Sequence, residues 1–311
     1  MSAAAKDQVH LAFGCDRNVA DGLAAVIASA AHHLSKDRQL RVHVLDCGLG
    51  ESMRAKLRTM VADKLPRAQI EFVEVLADRM KDFPQPFLTH VSHATYARLF
   101  LHELLPSIDR VIYLDCDLLI RGDLTELYEL DLAGCALAAV QDKVITSFSH
   151  ELDTLAADLP AIDPRSPYFN AGVLLLDLQR LRSIDATALY AKAFRQVKAK
   201  QADQSILNMV CHGRWKKLPT RWNRQILLGS GYNMFANEKG GIWHFTSRIK
   251  PWQVRRRGAR GLLAQWYREL DRVGWVATAV PQTEVHVSWL RDFIKAAQCW
   301  IRSQLRGSQR G

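Results

Sequence analysis

The feature that most limits the fold is an alternation of two hydrophobic periods over the first 75 residues. Residues 9–14, 40–45 and 70–75 are short apolar runs that read as strands. Between them, 20–34 is rich in Ala and Ile, and 51–65 carries helical spacing through Met53, Leu57, Met60, Val61 and Leu65. Strand–helix–strand repetition predicts an α/β fold around a parallel, doubly wound sheet. In such sheets ligands bind beyond the carboxyl ends of the strands. Asp16 and Asn18 stand at one such end.

A further strand, 110–114, stops at Asp115-Cys116-Asp117. In extended chain, residues i and i+2 share a face, so both carboxylates can aim at one point. Two adjacent carboxylates repel unless a cation or proton lies between them. An oxygen-rich site of this kind suits Mg²⁺ or Mn²⁺. Alone, Asp-X-Asp is equally a solvated strand end or a helix cap.

Downstream, 92–105 has helical spacing, and on pattern alone its Arg98 is a solvated helix position. A strand over 136–140 closes at Gln141-Asp142, and 143–166 is a mixed loop. Tyr168 to Gly172 leads into an apolar strand, 173–176, and 181–197 reads as one helix. Asp203-Gln204 opens a short helix, and 215–245 is strand and loop. Pro251 interrupts regular structure and places Lys250 on an extended loop.

The chain has 311 residues, 48% hydrophobic and 24% charged, which is globular rather than disordered. No run of 18 uncharged apolar residues exists, and the first eight residues lack the apolar core of a signal peptide. Six cysteines show no metal-binding spacing, which fits free thiols in a reducing, cytoplasmic compartment. Residues 248–311 hold 13 Lys+Arg against 4 Asp+Glu, whereas 1–247 hold 29 against 28. A basic tail on a neutral body points to docking on an anionic surface and away from nucleic acid. Within it Leu290, Phe293, Ile294, Ala297, Trp300, Ile301 and Leu305 share a helical face, with Arg291, Lys295, Arg302 and Arg306 on another. That is the pattern of an interfacial membrane helix, and equally of an ordinary helix packed on the body. The expected organisation is a body over 1–252 and a basic extension over 253–311, peripheral at the inner face of the plasma membrane.

Six segments taken together resemble a known family. They are 13–18, Thr95-Tyr96-Ala97-Arg98-Leu99, 111–117, Phe169-Asn170-Ala171-Gly172-Val173, Asp203-Gln204, and His244 through Lys250-Pro251-Trp252. In order and spacing they resemble the family 8 retaining glycosyltransferases of GT-A fold. The bacterial lipopolysaccharide and lipooligosaccharide galactosyl- and glucosyltransferases of that family are the nearest group.

The resemblance implies that Asp115, Asp117 and His244 hold a divalent ion, Mn²⁺ or Mg²⁺. It implies that Phe13, Gly14, Cys15, Asp16 and Asn18 receive the uracil and ribose of a UDP-sugar. Arg98 and Lys250 match cations near the phosphates or the sugar. Cys116, Ala171, Thr246 and Ser247 fall in the donor-binding set. Asp142, Asn170 and Asp203 match sugar-binding positions, and Gln204 the residue near the anomeric carbon. Two departures concern the phosphate loop: Ser247 and Arg248 stand where the family often has Gly-Pro. Retention normally needs a carboxylate nucleophile; Gln204 is an amide, and both double displacement and a front-face course stay open.

The expected function is therefore transfer of galactose or glucose from UDP-galactose or UDP-glucose to an oligosaccharide or lipid-linked acceptor, such as a lipopolysaccharide core. Two rivals remain. A sugar nucleotidyltransferase would carry a Gly-rich basic phosphate loop, which 9–22 lacks. An inactive, lipid-binding scaffold of the same fold is the other.

Overall fold

Strands β1 (Gln8–Cys15), β2 (Gln39–Asp46) and β3 (Ala68–Glu74) are parallel neighbours, with helices α1 (Ala20–His33) and α2 (Glu51–Lys64) crossing between them. The computed structural model describes residues 7–76, 93–150, 162–196, 202–226, 240–254 and 259–277. Further along come β4 (Arg110–Leu114), β5 (Leu118–Ile120), β6 (Leu137–Gln141), β7 (Phe169–Asp177) and β8 (Trp215–Lys217). The large sheet runs β3-β2-β1-β4-β7-β6-β8. All its strands point one way except β7, which is antiparallel to both neighbours. This is the α/β, GT-A-like architecture with a mostly parallel sheet that the sequence predicts.

The reversal of β7 decides which of its ends meets the end of β4. Its sequence, Phe-Asn-Ala-Gly-Val-Leu-Leu-Leu-Asp, is buried along all but its last residue, as a strand covered on both faces must be. Running against β4, it pairs Val173 with Leu114, and the Asp115 N–H donates to Gly172 O at 2.9 Å. The start of β7 therefore lies beside the end of β4.

A small second sheet has the order β5-β10-β9, from β5, β9 (Arg224–Ile226) and β10 (Ile242–Phe245). β10 pairs His244 with Leu118, and the Phe245 N–H donates to Asp117 O at 2.9 Å. Residues 115–117 are thus the bend by which the chain leaves one sheet and enters the other. Extended-strand geometry is not what makes the two carboxylates converge; the bend does. Helix α1 packs tightly on this link. A Cβ on Gly22 would stand 2.4 Å from Cys116 O and 2.5 Å from the Trp252 ring.

Two helices differ from expectation. Residues 92–105 form a 3₁₀ helix, His93–Phe100, and only one α turn, Leu101–Leu104. Arg98 reaches back to both Thr95 O and Thr95 Oγ1, holding the tighter turn. The helix expected over 181–197 is split into Leu178–Ser183 and Ala186–Gln196. Asp185 sits between them with φ 48°, a conformation Asp tolerates better than most residues.

Beyond α3 (Asp203–Val210) comes α4 (Gly261–Arg272), which packs against α1. Leu262, Leu263, Trp266, Tyr267 and Leu270 are buried in the same core as α1, and Trp275 Nε1 donates to Asp21 Oδ1 at 2.8 Å. Residues 259–275 are therefore integral to the body. The arginines 255–257 and the amphipathic stretch 286–311 lie outside the described residues. Among the described residues no helix is long and apolar enough to cross a membrane.

Trp266 is fully buried. Trp266→Ala is expected to cost about 3–5 kcal/mol in a denaturant melt of the full chain. A loss under about 1 kcal/mol, the usual range for a surface change, would place α4 outside the cooperative core.

Candidate active site

Asp115 and Asp117 each have one oxygen committed. Asp115 Oδ1 accepts from Arg98 at 2.8 Å and from Tyr113 Oη at 3.3 Å; Asp117 Oδ2 accepts from Lys250 Nζ at 2.6 Å. The other oxygens face His244 Nε2, Asp117 Oδ1 at 3.2 Å and Asp115 Oδ2 at 3.8 Å. Asp117 Oδ1 is buried without any hydrogen-bond partner.

The His244 tautomer explains why. Asp142 is acceptor-only, so Asn170 Nδ2 donates to its Oδ2 at 2.9 Å. Asn170 Oδ1 then accepts from Asn223 Nδ2 at 2.8 Å and from the Gly172 N–H at 3.0 Å. Asn223 Oδ1 is left as acceptor for His244 Nδ1 at 2.9 Å, so Nδ1 carries the hydrogen. Nε2 therefore presents a lone pair. Three electron-pair donors converge, and no hydrogen lies between them. Their ligating atoms all fall within 4.8 Å of one another. Gly172 leaves the space: a Cβ there would lie 2.2 Å from His244 Cε1 and 2.8 Å from Asp115 Oδ2. An orphaned buried oxygen, a directed lone pair and a mixed oxygen–nitrogen set fit a divalent cation.

Charge agrees. Asp115, Asp117, Asp142 and Asp203 set four carboxylates against the cations Arg98 and Lys250, a deficit of two positive charges. Burial would raise the Asp117 carboxyl, but the Lys250 ammonium holds it well below the usual carboxylate range. Burial, only partly offset by Arg98 and Thr95, raises Asp203 to about 6.

Arg98 is not the solvated helix residue its local pattern suggests. It is buried, stacked at 4.4 Å over the Tyr113 ring, and spans Asp115, Asp203 (Nε to Oδ2, 2.9 Å) and Ala171 O (2.6 Å). Three pieces of the chain are fastened by this one guanidinium. Asp203 Oδ1 also accepts from Thr95 Oγ1. Gln204, one residue on in α3, accepts at Oε1 from the Ala171 N–H (2.9 Å) and donates to Asp142 Oδ2 (3.3 Å).

The expected nucleotide segment lies alongside, because β1 neighbours β4. Cys116 Sγ contacts Gly14 O at 3.6 Å. Asp16 Oδ1 accepts from the Asn18 N–H and caps a short 3₁₀ turn, Arg17–Val19. Phe13 and Cys15 are fully buried, backbone and side chain alike. On the far side, the Thr246 N–H and hydroxyl bond to Ile226 O, and Ser247 Oγ to Ile249 O. Ser247 keeps a negative φ, so replacing the family's usual Gly strains nothing there.

The family model for glycosyl transferase family 8 matches residues 10–255. The chain belongs to that family. Similar proteins include general stress protein A of Bacillus subtilis, 27% identical over 79% of this chain and 88% of that protein. The lipopolysaccharide 1,2-glucosyltransferase of Escherichia coli is 27% identical over 78% of this chain and 72% of its own. Among solved structures, the galactosyltransferase LgtC in complex with donor and acceptor sugar analogs superposes with a TM-score of 0.70. It is 27% identical, covering 88% of this chain and 98% of that one.

Two residues of this family 8 site escape a reading of motifs: Asn223 and Asn208. Asn208 bonds both backbone groups of Phe169 and holds the start of β7 where Asn170 must lie. Asn223 sets the imidazole. Each is a lone polar residue in sequence, and only its burial marks it.

Asn223→Ala removes the acceptor that holds the His244 hydrogen on Nδ1. Mn²⁺ affinity measured by calorimetry is expected to fall about 10- to 100-fold; unchanged affinity would refute the relay. For Asp203 the sign follows from its raised value. An unfolded Asp titrates near ~3.9, so the stability from this group is present below that pH and lost as pH rises through about 6. The Tm of Asp203→Asn relative to the parent is expected to climb across that window, and a flat difference would contradict it.

Proposed function

We infer that the protein is a metal-dependent, retaining hexosyltransferase that moves galactose or glucose from a UDP-sugar to a saccharide acceptor. The observation that carries this reading is the convergence of Asp115 Oδ2, Asp117 Oδ1 and the His244 Nε2 lone pair. Those three would hold Mn²⁺ or Mg²⁺, which as a Lewis acid would offset charge on a departing diphosphate. Membership of family 8 and likeness to a lipopolysaccharide glucosyltransferase and to LgtC support a sugar-nucleotide donor and a glycan acceptor.

The chain's own groups divide the remaining work. Lys250 Nζ, tethered to Asp117 and Phe245 O, stands on an extended segment from which it can turn to a phosphate oxygen. Arg98 holds Asp115 in place and offsets part of the buried negative charge. Asp142 accepts from the Val144 and Ile145 N–H groups as well as from Asn170 and Gln204, and a carboxylate held this firmly supports an orienting role toward the sugar. Asp203 is a poor nucleophile here, since Thr95 occupies one oxygen and the Arg98 guanidinium lies against the other. That favours a front-face course, in which the departing phosphate oxygen takes the acceptor's proton.

The test is a screen of UDP-hexoses with Mn²⁺, reading UDP release with and without saccharide acceptors. Asp117→Asn is expected to lower turnover by about 10²-fold or more. Near-parental activity in that variant would end the metal assignment. Pyrophosphate release would favour a nucleotidyltransferase, and no release from any UDP-hexose would favour a scaffold.

A further inference from the structure

A second cavity adjoins the site. About 680 Å³ in volume, it opens between the β6–β8 edge of the large sheet and strands β9 and β10 of the small one. That size is ordinary for a small-molecule site, on the order of 300–1,000 Å³. Its floor is apolar, made by Val140, Leu218, Ile226 and Trp243. Two of its walls are shared with the centre already described. Asp142, which lines the cavity, bonds Asn170 and Gln204; Asn223, which also lines it, bonds His244. A molecule in this cavity would therefore sit one side chain away from the sugar-orienting amides.

The charge of the cavity is unlike that of the neighbouring centre. Among the described residues three cations line it, Lys143, Lys217 and Arg224. The carboxylate that lines it, Asp142, already accepts from two backbone N–H groups and two side-chain amides. Arg224 stacks 5.2 Å over the Trp243 ring, which fixes a guanidinium against the apolar floor. The body as a whole is close to neutral, with 29 Lys+Arg against 28 Asp+Glu in residues 1–247, so this concentration is local. Lys217 Nζ donates to Gln141 Oε1 at 2.7 Å and an Arg224 N–H to Gly240 O at 2.6 Å, neutral acceptors that leave each charge in place, and the donor's diphosphate belongs beside Asp115, Asp117 and Lys250. We propose that this cavity is a subsite for the acceptor and selects a saccharide bearing an anionic group, a phosphate monoester or a sugar carboxylate. The apolar floor takes the C–H face of a pyranose, and Lys143, Lys217 and Arg224 take the anion.

The proposal rests on the transferase reading, and its test separates the two. The full chain is assayed with Mn²⁺ and its preferred UDP-hexose on three matched oligosaccharides: neutral, phosphorylated, and carrying a uronate. The kcat/KM of an anionic acceptor is expected to exceed that of the neutral one by about tenfold, the worth of one charge-assisted contact. Raised salt should shrink this ratio. Lys143→Gln and Lys217→Gln should each pull it toward one, while Lys217→Arg keeps it. A gain for the phosphorylated acceptor alone assigns the anion as phosphate; a gain for the uronate alone assigns it as carboxylate. Equal kcat/KM for all three, with UDP still released, overturns the subsite and leaves the transferase reading standing. A binding arm needs no turnover. The phosphorylated and neutral oligosaccharides are titrated onto protein saturated with UDP and Mn²⁺. Tighter binding of the phosphorylated one, lost in the Gln variants, supports the subsite even if no donor reacts; equal binding of both overturns it.

Discussion

The site depends on one constraint: an acceptor-only carboxylate at one end of a hydrogen-bond chain dictates the polarity of every link after it. Asp142 can only accept, so Asn170 must donate to it, Asn223 must donate to Asn170, and His244 must donate to Asn223. What emerges at the far end is a lone pair on Nε2, pointed at two carboxylate oxygens. Reversing any amide would leave a buried donor facing a donor, which costs roughly 1–3 kcal/mol. The imidazole is thus preset by residues that touch neither of the two carboxylates it faces.

Topology supplies the ends that this chain of bonds connects. Asp142 follows β6, Asn170 starts β7, Asn223 precedes β9 and His244 lies in β10. Only because β7 runs against its neighbours does its first residue, not its last, lie at the ligand-binding edge. Asp115 and Asp117 occupy the transfer between the two sheets, so the relay also ties the sheets together. Arg98 joins the large sheet to α3, holding β4, β7 and α3 through Asp115, Ala171 O and Asp203.

Much of this is legible in the sequence. The apolar runs and the helically spaced segments between them in the first 75 residues specify three parallel strands and two crossovers. The Asp115–Asp117 pair is visible as a site, although a bend between sheets, not strand alternation, brings its oxygens together. What stays hidden depends on contacts distant in sequence. Arg98 looks solvated in its own segment because its carboxylate partners lie 17 and 105 residues away. Asn223 is an unremarked amide until β9 is laid beside β10. The direction of β7 has no local signature, since a fully buried strand reads the same either way. The break at Asp185 is concealed because helical spacing continues through it.

The order in which the chain contributes its parts has a consequence for synthesis. Among the described residues β5 pairs only with β10, and β10 lies more than a hundred residues later. While the chain emerges, Asp115 and Asp117 exist long before His244 and Lys250. During that interval the large sheet can close around Arg98 and Asp115, but Asp117 has neither its cation nor its imidazole neighbour. The small sheet and the three-atom cluster can therefore be completed only once β10 has emerged, and the lock between α1 and α4 later still. A chain assembled in this order brings Asp115, Asp117 and His244 together only when the body is nearly finished.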